Sequence, residues 1–286
     1  MRPLSPNSVL SVSRTEDLDR VRALLSRDPY TAIYMLGDLE PAYAGFCVWW
    51  LATSTPLDGP PEDVAALLVY TGYAEPVVLT FGEPDGIGAI VLACGADLPR
   101  RALVHLALDH VEAVDRGLEL DRLRPMLRLR RARPAPAPWP VPAGLEAPEL
   151  LAPRDTGDIR ELLRHYPDQF FEQHQVTAGR TVGIRDADGL LVAMAGTHVL
   201  SRTDGVAALG NVVTHPAHRR RGLARACTTA LIGLVESEGV SRLGVSLQRR
   251  NVAAMGLFLG LGFESHTTWL EGTVVRGESG PAADRC

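Results

Sequence analysis

Three consecutive arginines, Arg219, Arg220 and Arg221, stand directly before a Gly-Leu-Ala step at which a helical pattern begins. The first turn of a helix has unpaired backbone N–H groups and about half a positive charge, so a cation there destabilises the helix by roughly 0.3–1 kcal/mol. A solvated basic turn is one interpretation of these residues. The other, which the residue types favour, is a site for a doubly charged anion such as a diphosphate, because guanidinium groups match phosphate oxygens.

The residues on either side of the arginines support a binding site. Leu209–Thr214 is apolar and predicts a strand, which His215 and Pro216 end, so a strand runs almost directly into the helix. Gly222 and Ala224 have little or no side chain and let a ligand approach the backbone N–H groups. The sequence therefore predicts a phosphate cradle over residues 219–224.

A second motif follows in NVAAMGLFLGLGF, residues 251–263, on a predicted helix. It contains Asn251, Ala254, Leu257 and an aromatic residue before Leu261-Gly262-Phe263. The pattern Arg219-x-x-Gly222-x-Ala224 followed by this motif resembles the GNAT superfamily of N-acyltransferases. The resemblance covers about residues 150–275.

The resemblance implies how acyl-CoA is held. In this superfamily the strand matching Leu209–Thr214 carries a bulge and splays from the strand matching Ser241–Leu247, and the pantetheine arm enters the gap like an added strand. An N–H near Val213 polarises the thioester carbonyl, and backbone amides of the cradle hold the pyrophosphate. The implied contacts with the co-substrate, acetyl-CoA or another acyl-CoA, are Val212, Val213, Thr214, Arg219, Arg220, Arg221, Gly222, Leu223, Ala224, Asn251 and Phe258.

Phe258 departs from the superfamily pattern, which often has a tyrosine here that protonates the departing CoA thiolate. A phenyl ring has no exchangeable proton, so water, Cys227 or a histidine is left to deliver one.

The resemblance and its departure at Phe258 leave two candidate functions. The first is an N-acyltransferase, with acetyl as the expected group, whose acceptor is the amine of a small molecule or amino acid that attacks the thioester directly. The alternative is a non-catalytic acyl-CoA-binding or sensing protein.

An acceptor amine arrives as an ammonium ion and must lose a proton before it attacks. The candidate bases are His174, Glu172, His198 and His215. His198 is the first choice, because it lies on the strand next to the proposed cofactor strand, and Glu172 is the second. Each also has an ordinary interpretation, as a histidine buried in the core or a glutamate on a solvated helix.

A proline-rich segment divides the chain of 286 residues, which is long enough for two domains. Prolines recur through RARPAPAPWPVPAG, residues 131–144, and exclude a helix there. We expect a domain over residues 1–133, a linker over 134–148, an acyltransferase domain over 149–275 and a tail over 276–286.

Both halves alternate predicted helices and strands, which indicates an α/β (α+β) fold with mixed, mostly antiparallel sheets. The first half resembles the leading domain of tandem GNAT proteins, including the glycine N-acyltransferase-like group. It lacks an Arg-x-x-Gly-x-Ala loop, so the resemblance implies a degenerate domain that helps to shape the acceptor pocket. Trp49, Trp50 and Tyr70 are either lining residues of that pocket or ordinary core.

Composition excludes other classes of function. The net charge of −5 argues against a nucleic-acid or anionic-membrane binder. Four scattered cysteines provide neither a zinc site nor a disulfide framework, and no metal is expected. Gly86-Ile87-Gly88 lacks the third glycine of a dinucleotide-binding motif. The opening residues lack the apolar core of a signal peptide, so the expected location is cytoplasmic.

Overall fold

The computed structural model describes residues 8–134, 137–167, 169 and 171–276. The chain folds as two compact units. Unit 1 comprises Met1–Leu127 and Thr267–Cys286, and unit 2 comprises Arg128–His266. Of the predicted tail, all but Arg276 lies outside the described residues.

Unit 1 alternates strands with short helices. Helix α1 begins where the carboxylate of Asp17 accepts a hydrogen bond from the backbone N–H of Arg20, which is the capping expected before an apolar helical pattern. In chain order the elements are β1 (Ser8–Thr15), α1 (Leu18–Leu25), α2 (Ile33–Gly37), α3 (Pro41–Ala44), β2 (Cys47–Pro56), β3 (Glu62–Tyr70), β4 (Val77–Gly82), α4 (Pro84–Cys94), β5 (Arg101–Ala107), α5 (Val111–Asp115) and β6 (Glu119–Arg131). The residues of β6 from Arg128 onward belong to unit 2.

The sheet of unit 1 has the strand order β1-β2-β3-β4-β5 and one parallel pair, β4 with β5. Strand β12 (Phe263–Val275) pairs antiparallel with β5 from Trp269↔Ala107 to Val275↔Arg101. The predicted domain boundary at residue 275 therefore differs from the unit boundary at 266, because the residues from Thr267 onward belong to unit 1.

Helix α4 packs on this sheet through Ile87, Ile90 and Val91, which are almost inaccessible to solvent. A Cβ on Gly86 would lie 2.6 Å from the Cβ of Ala65, so this glycine lets the helix approach the sheet closely. Of the aromatic residues considered for an acceptor pocket, Trp49 and Tyr70 are buried and Trp50 packs against the core.

Unit 2 contains the predicted motifs. Its remaining elements are β7 (Glu149–Leu150), α6 (Thr156–Leu163), α7 (His174–Thr177), β8 (Thr181–Arg185), β9 (Leu191–Ser201), β10 (Val206–Thr214), α8 (Leu223–Ser237), β11 (Arg242–Gln248) and α9 (Val252–Gly260). The strand order β7-β8-β9-β10-β11 is antiparallel except for the pair β10 and β11. This confirms the predicted mixed α/β class.

One core cluster of unit 2 lies between its sheet and helices α6 and α7, where Ile159, Leu162 and Val176 meet Met194 and Val213. In the described part of the chain, no helix is long and apolar enough to cross a membrane.

Candidate functional site

Strands β10 and β11 part halfway along their length. Among the described residues, their parallel pairing runs from Val206↔Arg242 to Leu209↔Val245 and ends there. The rest of β10 stays paired with β9 on its other side, at Val213↔Met194 and Thr214↔Ala193. The edge of β10 that faces away from β9 is therefore available to another extended chain over its last residues.

A bulge at Asn211 accompanies this divergence. The register between β10 and β9 shifts between Gly210 and Val213, and Asn211 has a φ of 50°. Asparagine is one of the few residues that tolerate this left-handed conformation. Bulges turn the backbone and redirect its N–H and C=O groups. The structure therefore has both features that the resemblance implied for this strand, the bulge and the splay.

The loop after β10 leads to the N-terminus of α8. Arg220 and Gly222 both have left-handed backbones, with φ of 64° and 81°, and Gly222 is the N-cap of the helix. Arg219, Arg220 and Arg221 are exposed, and among the described residues none of them forms an ion pair with a carboxylate. The helix has no acidic residue in its first turn. This end of α8 therefore combines free N–H donors with uncompensated positive charge.

Tyr166, which follows α6, reaches the end of the open edge. Its hydroxyl donates a hydrogen bond to the carbonyl oxygen of Thr214. The guanidinium of Arg219 donates to the same hydroxyl over 3.0 Å, and its Cζ lies 5.4 Å from the centre of the tyrosine ring. One backbone acceptor at the open edge is therefore engaged by a side chain of unit 2.

A buried polar cluster lies beside the bulge. The Asn211 amide donates to Gln175 Oε1 over 3.0 Å, and Asn211 Oδ1 accepts from Gln169 Nε2 over 2.8 Å. Gln175 Oε1 also accepts from the backbone N–H of Glu172 over 3.1 Å. Asn211 and Gln175 are almost fully buried, so these bonds replace the water that both amides lose on folding. The sequence analysis does not predict this cluster. Its one signal in the sequence is Asn211, a polar residue within an apolar strand.

His198, the first predicted base, lies against the bulge. A Cβ on Gly210 would be 2.1 Å from its Nε2, so the imidazole covers that glycine. Burial lowers the pKa of His198 to about 4; a hydrogen bond with Asn211 opposes the shift and the charge of Arg128 adds to it. The ring is therefore neutral at physiological pH and a weak base.

The other predicted bases lie elsewhere in unit 2. Glu172 precedes α7 and joins the polar cluster through its backbone. Burial lowers the pKa of His174, which Glu172 partly offsets. Burial also lowers the pKa of His215, and the charges of neighbouring His165 and His218 add to the shift. His215 accepts a hydrogen bond from the backbone N–H of Ala217 over 3.3 Å, which is the turn-shaping role considered for it.

Helix α9 carries the second motif. Asn251 is its N-cap, and Oδ1 accepts a hydrogen bond from the backbone N–H of Ala254 over 3.1 Å. Phe258 is buried and its ring meets that of Phe263 edge to face, 5.1 Å between centres. Burial raises the pKa of Cys227 to about 12, which makes this thiol a poor donor of a proton to a thiolate.

Unit 1 also contains a pair of parallel strands, but a buried side chain lies beyond the residues that pair. Strands β4 and β5 pair over Val77–Leu79 and Leu103–His105. Beyond that point lies the buried imidazole of His110, whose Nδ1 is 2.8 Å from Thr80 Oγ1 and whose Nε2 is 2.9 Å from Gly82 O. A carbonyl only accepts, so Nε2 carries the hydrogen and Nδ1 accepts from the threonine. His110 thus uses the polar groups at this end of β4.

The helix after β4 is also unlike α8. Helix α4 follows the strand with Glu83 as its N-cap, Pro84 at its start and Asp85 in its first turn. Proline has no N–H, and the two carboxylates repel an anion. Of the two strand-to-helix connections, the one from β10 to α8 in unit 2 fits a phosphate-bearing co-substrate with an extended amide arm, and the one from β4 to α4 does not. Among the described residues, no group of His, Cys, Asp and Glu can hold a metal ion.

Comparisons with known proteins agree with this geometry. Residues 147–263 match the model of the family described as "Acetyltransferase (GNAT) family". No curated protein matches the sequence.

Several solved structures share the fold. A GCN5-related N-acetyltransferase from Sphaerobacter thermophilus has a TM-score of 0.59 at 17% identity, covering 99% of this chain and all (100%) of that one. A tandem GNAT protein from the clavulanic acid biosynthesis pathway has a TM-score of 0.58 at 15% identity, covering 95% and 100%. A Drosophila protein has a TM-score of 0.68 at 17% identity, covering 91% and 98%. The chain therefore has the GNAT fold, and its residues 147–263 carry the sequence pattern of that acetyltransferase family.

Proposed function

We propose that this protein transfers an acyl group, acetyl in the first instance, from acyl-CoA to the amine of a small molecule or amino acid. The observation that carries the proposal is the parting of β10 from β11 beyond Leu209 and Val245, next to a helix N-terminus preceded by three exposed arginines. The amide-rich pantetheine arm adds to the open edge of β10 as a strand would. The diphosphate lies at the end of α8, where backbone N–H groups and Arg219–Arg221 bind it.

In the proposed reaction the amine nitrogen attacks the thioester carbonyl carbon, a C–N bond forms and the C–S bond breaks. The backbone around Val212 and Val213, next to the bulge, supplies an N–H for the carbonyl oxygen. The amine proton leaves to a base, and the thiolate takes a proton from water, because Phe258 has none to give. His198 and Glu172 remain the proposed bases, and the lowered pKa of His198 makes its imidazole a weak base.

We assign a single acyl-CoA site per chain, in unit 2. Two features of unit 1 argue against a second site there. The imidazole of His110 lies at the end of β4, and carboxylates at the start of α4 repel a diphosphate. Unit 1 is then a degenerate GNAT-like unit. The sequence of unit 1 resembles the leading domain of the glycine N-acyltransferase-like group. On that basis we propose that the acceptor is an amino acid.

The test has two stages with the whole chain. Calorimetry with CoA measures binding, and release of free thiol from acetyl-CoA across a panel of amines and amino acids measures turnover. We expect binding and amine-dependent thiol release. Binding without release with every amine would instead indicate the non-catalytic acyl-CoA-binding protein. No binding of CoA would overturn both functions.

A further inference from the structure

The proline-rich segment contributes an aromatic side chain to the start of α8. The segment is anchored to unit 2 on both sides. Before it, the backbone N–H groups of Ala132 and Arg133 donate to Gly262 O over 3.0 and 3.3 Å. After it, Leu145 forms a β-bridge with Asp186, and Glu146 N donates to Arg185 O over 2.9 Å.

Trp139 lies within this segment, between Pro138 and Pro140. Its Nε1 would be 2.6 Å from a Cβ on Gly222, so the indole rests directly on the N-cap residue of α8. A proline on each side restricts the backbone of Trp139, so less backbone freedom is lost when this residue takes up a fixed position. Trp139 is nevertheless 40% exposed, so part of its ring is accessible to a ligand.

Arg225, in the first turn of α8, also contacts the indole of Trp139. Its Cζ lies 4.5 Å from the centre of the Trp139 ring, which is a cation–π contact. Its Nη2 would be 2.3 Å from a Cβ on Gly260, so the guanidinium lies directly against this glycine of α9. One indole face is thus supported by a planar cation.

We infer that Trp139, supported by Arg225, is the stacking surface for the adenine ring of CoA. This inference rests on the proposed function, which puts the diphosphate at Gly222, where the indole also lies. The purine is then within a few bonds of an exposed aromatic surface, and bases stack on such surfaces regardless of their identity. Arg225 adds positive charge beside the phosphates of the nucleotide.

The experiment compares CoA binding by the wild type, Trp139→Ala and Trp139→Phe in calorimetry. Stacking on an aromatic residue has an effect of roughly 5- to 150-fold on affinity, so we expect Trp139→Ala to raise the Kd for CoA within that range. Trp139→Phe should recover most of the affinity. Leu190→Ala removes another exposed apolar side chain of unit 2 and should leave the Kd unchanged.

A second measurement separates stacking from a general disturbance. S-acetylpantetheine lacks the nucleotide, so its KM should be the same in Trp139→Ala and the wild type. CoA, but not pantetheine, should quench the part of the emission that Trp139→Phe removes. Equal or tighter CoA binding by Trp139→Ala would overturn the inference and leave the proposed function standing. Absence of CoA binding by the wild type would overturn both.

Discussion

The hydroxyl of Tyr166 donates to the carbonyl oxygen of Thr214, at the end of the open edge of β10. Arg219, one of the arginines proposed to bind diphosphate, donates to the same hydroxyl. An arriving pantetheine arm competes with Tyr166 for the carbonyl, and an arriving diphosphate competes with it for the arginine. The two contacts therefore oppose binding of the co-substrate.

Tyr166→Phe removes the hydroxyl and keeps the ring. A hydrogen bond has a net effect of about 0.5–1.5 kcal/mol, so we expect the Kd for CoA to fall by roughly 2- to 10-fold. Calorimetry checks this. A higher Kd in Tyr166→Phe would mean that the hydroxyl instead contacts the bound molecule.

Gly222→Asp should abolish CoA binding. It introduces a carboxylate at the proposed diphosphate position, and its Cβ meets the Trp139 indole. Left-handed backbone also costs an L-residue roughly 1–2 kcal/mol, so some loss of stability is expected for that reason alone.

Gly239→Asp is the matched control at the other end of α8. Gly239 has a φ of 87°, and a Cβ there would meet no atom within 4 Å. We expect this variant to lose similar stability and to bind CoA like the wild type. Equal affinity in both variants would place the diphosphate elsewhere.

His198 should make stability depend on pH. Its pKa falls from 6.5 to about 4 on folding, so the unfolded chain binds more protons between these values. The free energy of unfolding therefore decreases as pH falls through this window, by on the order of 3 kcal/mol at its lower end. His198→Gln removes this contribution, so urea unfolding at several pH values should show the variant losing less stability than the wild type. Parallel curves would contradict the burial of a neutral imidazole.

His198→Gln also tests whether His198 is the general base of the proposed reaction. Removing a general base lowers turnover by roughly 10²–10⁴-fold, whereas we expect less than a tenfold loss for His198→Gln because its pKa is poorly matched to the task. Glu172→Gln tests the second candidate in the same assay, and a loss of thiol release of roughly 10²–10⁴-fold would identify its carboxylate as the base. A loss of that size with His198→Gln would identify the histidine instead.

Calorimetry should also give a stoichiometry of about one CoA per chain. The reason is chemical: the end of β4 in unit 1 is occupied by His110, and Glu83 and Asp85 stand where a diphosphate would need donors. Two equivalents bound, with one surviving in Gly222→Asp, would show that unit 1 also takes the co-substrate.

Phe258→Tyr restores the phenol that the superfamily often has. We expect thiol release at or above the wild-type rate, with a modest loss of thermal stability because the ring is buried against Phe263. A large fall in turnover with normal CoA binding would show that no polar group fits at this position.

Local patterns predicted much of this structure. The apolar spacing after Gly222 predicts a helix over residues 222–238, and the helix is observed as Leu223–Ser237, since the glycine and the spacing are both local signals. Strand β1, SVLSVSRT, lacks a regular alternation of apolar and polar residues, so its pattern does not predict a strand. The proline at position 167 of PDQFFEQHQV predicts the start of a helix, but the helix is observed only over His174–Thr177, with residues 168 and 170 outside the described part.

The rest of the site depends on contacts between residues far apart in the sequence. Nothing near Gln175 predicts its bond to Asn211, and nothing near Trp139 predicts its position on Gly222. Such contacts follow from the packing of whole elements, which a single sequence does not specify.

Strand β12 has a consequence for how the protein is made. It leaves the ribosome long after β5, yet it covers the edge of that strand. Until then β5 has an uncovered edge, and such edges promote aggregation. Cutting the gene at the proline-rich segment would therefore not yield two intact halves, because the first would lack a strand and the second would carry one with no partner.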